Sequence, residues 1–437
     1  MTSFAHKRYQ TPIADIFSEE KQLELQLLVE RKLAQVNADY GKIPREAARE
    51  IDQFVRIEKI PLNRVKEIEK ETQHDLFSVI LAATEVCPNY GEYIHVGATS
   101  SDIQDTVTAL QLQEAKNILL EHIDELILKL IKLAKEYRDL VCIGRTHGVH
   151  AIPITYGFKF ANFLNELYIT RENLIDTAIY GKLSGAVGTY AAYGTNEIEK
   201  EVMRKLGLES SLITTQVVTR VVYFYFVSAV IAVDAILDKL ARELRNLERT
   251  EIGEIIEVFE DKQIGSSTMP QKQNPWKLER ICGIARFLRS LLPAAIENVS
   301  LEHERDMSNS SVERIVLPQL ITLTDFSLLE MKKILDGVKI NKDNVSKNLF
   351  LLNGRQCSEN LLIKLTTSIG RQEAHKLLRD LTRKDDFTKA IKSHPQIKTL
   401  FNEKEIDEIL DPLSYIGLAP ELVDLVVESV ERRIGAK

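Results

Sequence analysis

Disulfides and cysteine-bound metals have little to build on in this chain, whose four cysteines, Cys87, Cys142, Cys282 and Cys357, are scattered and never form a CxxC pair. They read as buried, reduced thiols. Charge of one sign is scarce as well. The formal net charge is −7 over 437 residues and is spread along the chain, which argues against a nucleic-acid-binding or membrane-coating surface. An anionic ligand would need a local cluster of cations. No run of apolar residues is expected to reach membrane-spanning length, and the first ten residues are polar. The sequence therefore predicts no spanning helix and no signal peptide, and a cytoplasmic location. Internal repeats, low-complexity tracts and period-two strand patterns are missing too.

Glycine and proline are absent from positions 102 to 139, and there Leu119, Ile123, Leu126, Leu130, Leu133 and Tyr137 recur at alternating spacings of four and three. This predicts a long bundle helix. Val233, Leu237, Leu240, Leu244 and Leu247 predict a second. A third is expected from Trp276 through Ile281, Leu288, Leu292 and Val299, kinked at Pro293, with further helices after Pro153 and around Val312 to Leu335. Before position 100, Pro12, Pro44, Pro61 and Pro88 punctuate shorter helices. The predicted fold class is all-α, with an N-terminal helical domain over 1–103, a central elongated bundle over 104–350 and a small helical domain over 351–437.

Chemistry concentrates at turns. Gly265-Ser266-Ser267-Thr268-Met269-Pro270-Gln271-Lys272-Gln273-Asn274-Pro275 lies between helical segments and combines glycine, two hydroxyls, a fixed cation and an amide donor. Asn274 suits an N-cap and Pro275 the first helical position, so the loop feeds a helix N-terminus able to hold an anion. His147 and His150 lie in a glycine-flanked turn after the first long helix, where an imidazole titrates near neutral pH; no carboxylate or cysteine stands nearby at metal-ligand spacing. His95-Val96-Gly97-Ala98-Thr99-Ser100-Ser101-Asp102 precedes that helix, with Ser100, Ser101 and Asp102 as candidate caps and more hydroxyls than capping requires. Gln73-His74-Asp75 on an amphipathic helix reads first as a satisfied structural pair. Arg305 and Arg314 bracket Ser310 and other hydroxyls, a plausible phosphate clamp. Glycine-rich 181–188 lacks the spacing and the following lysine of a P-loop and reads as a close backbone approach.

Gly265, Ser266, Ser267, Met269, Pro270, Lys272, Asn274 and Glu279 occupy the fixed positions of GSSxMPxKxNxxxxE. On these residues the chain resembles the fumarase/aspartase superfamily, whose members cleave C–N or C–O bonds to release fumarate, and within it the adenylosuccinate lyase family. The resemblance implies a cofactor-free and metal-free β-elimination on small succinylated purine nucleotides. Ser266 would be the base and His147 the acid that protonates the leaving nitrogen. Gln73, His74, Asp75, His95, Thr99, Ser100, Gln216, Ser267, Lys272 and Asn274 would bind substrate, with Thr99 and Ser100 on the succinyl part. Arg8, Tyr9, Arg280, Arg305, Ser310 and Arg314 would hold the nucleotide and its phosphate. It also implies a homotetramer with sites shared between subunits; helix length separately suggests that one chain cannot bring Thr99 and His147 to one substrate, since roughly 35 helical residues separate them by about 50 Å.

Overall fold

The computed structural model describes residues 7–257, 268–269 and 271–435. Among these the chain is predominantly helical, with only short strands. It forms two compact units, each assembled from three separated stretches. The first comprises Met1–His122, Thr170–Ala235 and Gly283–Leu329; the second comprises Ile123–Ile169, Ile236–Cys282 and Glu330–Lys437. Three long helices, Ser100–Glu136, Arg220–Leu247 and Ser308–Gly337, each contribute one part to either unit.

In the first unit the core draws on Ile103, Val107 and Leu119, on Phe226, Val230 and Val233, and on Leu317, Leu320 and Ile321, all buried at helical spacing. In the second, Ile123, Leu126 and Leu130 are buried, as are Leu237, Leu240 and Leu244, continuing the same repeats. Burying each such side chain contributes roughly 1.5–3 kcal/mol. A further cluster in the second unit packs Leu361, Leu365, Leu378, Phe387 and Ile391 together.

Three expectations need correction. The third helix is split rather than kinked: Trp276–Arg289 ends, and Leu292–Glu297 starts with Pro293 in its first turn. Proline cannot donate to the carbonyl four residues back, and here that residue is Arg289, the last of the preceding helix. Strands do occur. β1 (Val141–Thr146) pairs antiparallel with β2 (Val149–Thr155), and the register pairs Thr146 with Val149. Finally, Arg220–Leu247 is long and apolar enough to cross a membrane by length and composition, although 56% of its most apolar stretch is buried inside the protein. The buried helix of a bundle has that composition too.

Asp234 on this helix is fully buried and accepts a 2.5 Å hydrogen bond from the Thr324 hydroxyl. Burial pushes its carboxyl up to about 7, against the pull of Thr324 and Arg289. A carboxyl raised in the folded state makes folding favour the protonated form. The stability it contributes is therefore present at about pH 4 and is lost as pH rises through 7. Asp234→Asn should raise stability at pH 8 by roughly 1–3 kcal/mol and change little at pH 4, as read by thermal unfolding. An equal shift at both pH values would exonerate the Asp234 charge.

Candidate active site

In the first unit the helix Ser100–Glu136 begins directly after Thr99. Asp102, third in the helix, turns its carboxylate back to the Thr99 N–H at 2.9 Å, while its own N–H donates to the Thr99 carbonyl at 2.9 Å. The cap position thus falls on Thr99, not on Ser100, Ser101 or Asp102, because Asp102 serves the reciprocal half of a capping box. Thr99 and Ser100 keep partly exposed positions at the positive end of the longest helix. His95, in a left-handed conformation at φ 66°, meets the Glu30 carboxylate at 2.6 Å. Burial works against its charged form, but the adjacent Glu30 carboxylate outweighs that and raises its pKa.

Ser310, Arg314 and Arg305 line one pocket of about 270 Å³ with Gln104 and Glu313. Arg305 donates to the Ser101 hydroxyl and, at 3.1 Å, to the Gln216 side-chain carbonyl, and the Gln216 N–H reaches the Glu304 carbonyl at 3.3 Å. Arg314 donates to Asp75 at 2.8 Å, and Gln104 reaches the same carboxylate oxygen at 3.0 Å. Beside them Arg220 is buried between Asp105, at 2.7 Å, and Glu313, at 2.9 Å. Burial opposes its charge, yet Asp105 first and Glu313 with it hold its pKa far above the ordinary value. Arg220 is neutralised by two carboxylates, whereas the exposed Arg314 pairs with the single carboxylate of Asp75 and Arg305 donates to the uncharged Ser101 and Gln216 side chains, which leaves these two better placed to meet an anion.

Gln73 and His74 lie between two helices rather than within one, a correction to the sequence reading: Gln73 ends Leu62–Thr72 and His74 caps Asp75–Val86. Gln73 is left-handed at φ 55° and donates to the Lys70 carbonyl at 2.9 Å. The His74 Nδ1 accepts the Phe77 N–H at 3.1 Å, so in the neutral ring Nε2 carries the proton and is the donor available to a ligand. The Tyr9 ring meets Phe326 edge-on at 5.2 Å, and Arg8 is exposed.

The other described candidates belong to the second unit. His147 and Gly148 form the two-residue loop of the β1–β2 hairpin, with φ of 55° and 76°, the paired positive values of a type I′ turn. A left-handed conformation costs a residue with a Cβ about 1 kcal/mol, and it holds an exposed imidazole at the hairpin tip. The strands below are tied down by Glu254, fully buried, which accepts from Arg145 at 2.5 Å, Tyr156 at 2.7 Å and Asn348 at 2.8 Å. Burial opposes the Glu254 charge, but these donors, Arg145 foremost, bring its pKa below the usual value. His150 pairs across from Arg145, and burial together with that guanidinium lowers its pKa, keeping the ring neutral near pH 7.

Ser266 and Ser267 lie outside the described residues. Lys272 is exposed and its N–H donates to the Met269 carbonyl at 3.0 Å. The helix starts at Trp276, so Pro275 rather than Asn274 stands directly before it, with the Pro275 carbonyl accepting the Glu279 N–H at 3.0 Å and the Asn274 carbonyl accepting the Trp276 N–H at 2.8 Å. Arg280 pairs with Glu330 at 2.6 Å and lies over the Trp276 ring at 4.8 Å. Neither Glu254 nor the partners of Arg220 are predicted from sequence, and Asp102, expected only as a candidate cap, is found in a buried pair with Lys182. A lysine beside a glycine-rich turn was the one available hint. Among the described residues no group of three His, Cys, Asp or Glu is arranged to hold a metal.

Comparison with known proteins places this geometry in a lineage. Residues 8–288 match the lyase family, and residues 354–426 match the adenylosuccinate lyase C-terminus. The chain is 44% identical over 427 residues to an adenylosuccinate lyase of Pyrococcus abyssi, covering 95% of each chain. It is 40% identical to the adenylosuccinate lyase of Methanocaldococcus jannaschii, over 98% of this chain and 95% of that one. The crystal structure of a fumarate lyase from Mesorhizobium sp. BNC1 superposes with a TM-score of 0.89 at 25% identity, covering 96% of this chain and 98% of that one. By sequence along nearly its whole length and by fold, the chain belongs to the lyase family and, within it, to the adenylosuccinate lyases.

Proposed function

We propose that the chain releases fumarate from adenylosuccinate to give AMP, and from the succinylated aminoimidazole carboxamide ribonucleotide by the same β-elimination. The observation that carries the nucleotide reading is the pocket in which Arg305, Ser310 and Arg314 converge beside a charge-neutralised Arg220. Ser266 removes the proton next to the β-carboxylate. Its poorly acidic hydroxyl needs a nearby cation such as Lys272 and the free amides of the helix start at Trp276. Negative charge develops on that carboxylate, where Lys272, Asn274, Thr99 and Ser100 stabilise it in the transition state. His147 protonates the departing nitrogen. No cofactor takes part in these steps. The reading includes a homotetramer with sites shared between chains, working in the cytoplasm.

Adding adenylosuccinate, argininosuccinate and carboxymuconate-type substrates separately to the purified protein, and following absorbance and fumarate, tests this directly. Fumarate from adenylosuccinate is the expected result, and its absence overturns the reading. Arg305 is partly buried and touches Ser101 and Gln216, whereas the Arg314 side chain is 62% exposed. Arg305→Ala should therefore raise KM about ten-fold or more, and Arg314→Ala only a few-fold, because solvent screens the exposed contact. Unchanged AMP inhibition in both variants would remove the phosphate clamp.

A further inference from the structure

The glycine-rich segment 181–188 takes no part in the chemistry proposed above, yet it encloses a buried charge. The side chains of Lys182 and Asp102 are both fully buried and form an ion pair. The Asp102 carboxylate also accepts the N–H groups of Ser184 at 3.1 Å and Gly185 at 3.2 Å, besides that of Thr99 at 2.9 Å. Lys182 Nζ donates to the Gly185 carbonyl at 3.2 Å. Its backbone N–H donates to the Thr106 hydroxyl and its carbonyl accepts from it, each at 2.9 Å. Gly188 keeps the turn close to its neighbour, for a Cβ there would stand 2.1 Å from the Thr214 carbonyl. The loop thus wraps its amides around a carboxylate of the chain itself, as other loops cradle a bound anion.

That carboxylate sits in the first turn of the helix whose N-terminus carries Thr99 and Ser100. An anion there cancels the positive end of the helix dipole and repels a second carboxylate brought to the same end. Lys182 offsets that charge from below. We propose that Lys182 is a positioning and charge-balancing residue for the substrate's succinyl carboxylate: it neutralises Asp102, so that Asp102 can fix the geometry of Thr99 without making the helix end repel its ligand. The inference rests on the reading that Thr99 and Ser100 bind that carboxylate.

Removing the cation alone leaves a buried negative charge near the binding position. Lys182→Met should weaken competitive inhibition by fumarate on the order of ten-fold, as expected for a unit charge at about 10 Å acting through an effective dielectric of about 20, while AMP inhibition changes little. The neutral double variant Asp102→Asn/Lys182→Met should return the fumarate inhibition constant to within about three-fold of wild type, because the two sites couple. Circular dichroism checks folding; should the single variant not fold, the double variant decides alone. A folded double variant that binds AMP normally but fumarate ten-fold more weakly overturns the proposal, and so does a single variant that loses AMP and fumarate equally. Wild-type turnover of adenylosuccinate in the same assay separates the two readings. An inactive wild type refutes the function, whereas an active wild type with unaltered fumarate inhibition in the Lys182→Met variant refutes only the role of Lys182.

Discussion

Ser266→Ala is expected to lower kcat by about a thousand-fold or more while KM changes little. The substitution deletes one oxygen and with it the base, but leaves Lys272, Asn274 and the helix start at Trp276 in place to bind the substrate. Loss confined to kcat is the signature of an interaction made only in the transition state. Single-turnover fumarate release, paired with equilibrium binding of adenylosuccinate to the variant, measures both quantities. Near-wild-type turnover would assign proton abstraction to another group. A parallel collapse of binding would mean that Ser266 holds the substrate rather than deprotonates it.

The second large effect concerns assembly. The helix Ser100–Glu136 has 37 residues, and at 1.5 Å per residue its ends are about 55 Å apart. Thr99 and Ser100 stand at its N-terminal end, and the hairpin that presents His147 starts at Val141, shortly after its C-terminal end. A dicarboxylate a few ångströms across cannot touch both ends of one helix. A site that uses both must join chains, which a symmetric tetramer of antiparallel bundles achieves. Ser266→Ala and His147→Ala proteins, each inactive alone, should then complement after dissociation and reassembly if those two residues of a site come from different chains. In an equimolar mixture recovery reaches at most about one quarter of wild-type activity, since each site must draw both intact residues by chance. Verified mixed tetramers that stay inactive, or an active monomer, would rule out shared sites.

The long helices were legible because their signal is local. Thirty-seven residues without glycine or proline, carrying apolar side chains at spacings of three and four, have one stable arrangement, and the buried Leu119, Ile123, Leu126 and Leu130 follow that spacing. The loop 265–275 stands out in the sequence for a related reason, since a serine pair, a lysine and an asparagine beside a helix start are unusual company for a plain loop. The hairpin escapes the sequence reading because Gly144 and Pro153 interrupt its alternation, and among the described residues its strands pair only with each other. The break before Pro293 needed only the ring and its missing N–H, yet the apolar spacing that continues to Val299 concealed it.

By itself the sequence determined the helical class, the long helices and the residue types available at each turn, because these depend on spacing along one chain. Only the tertiary structure decided which charges are spent internally and which remain for a ligand. Arg220, Arg305 and Arg314 all line one pocket, but Asp105 and Glu313 consume the first, the exposed Arg314 is shared with Asp75, and Arg305 donates to the uncharged Ser101 and Gln216 side chains. Asp102 and Lys182 are 80 positions apart, and nothing local to either names the other. The free energy of a buried charge is set by what lies within a few ångströms of it in space, and that is fixed only when the chain has folded.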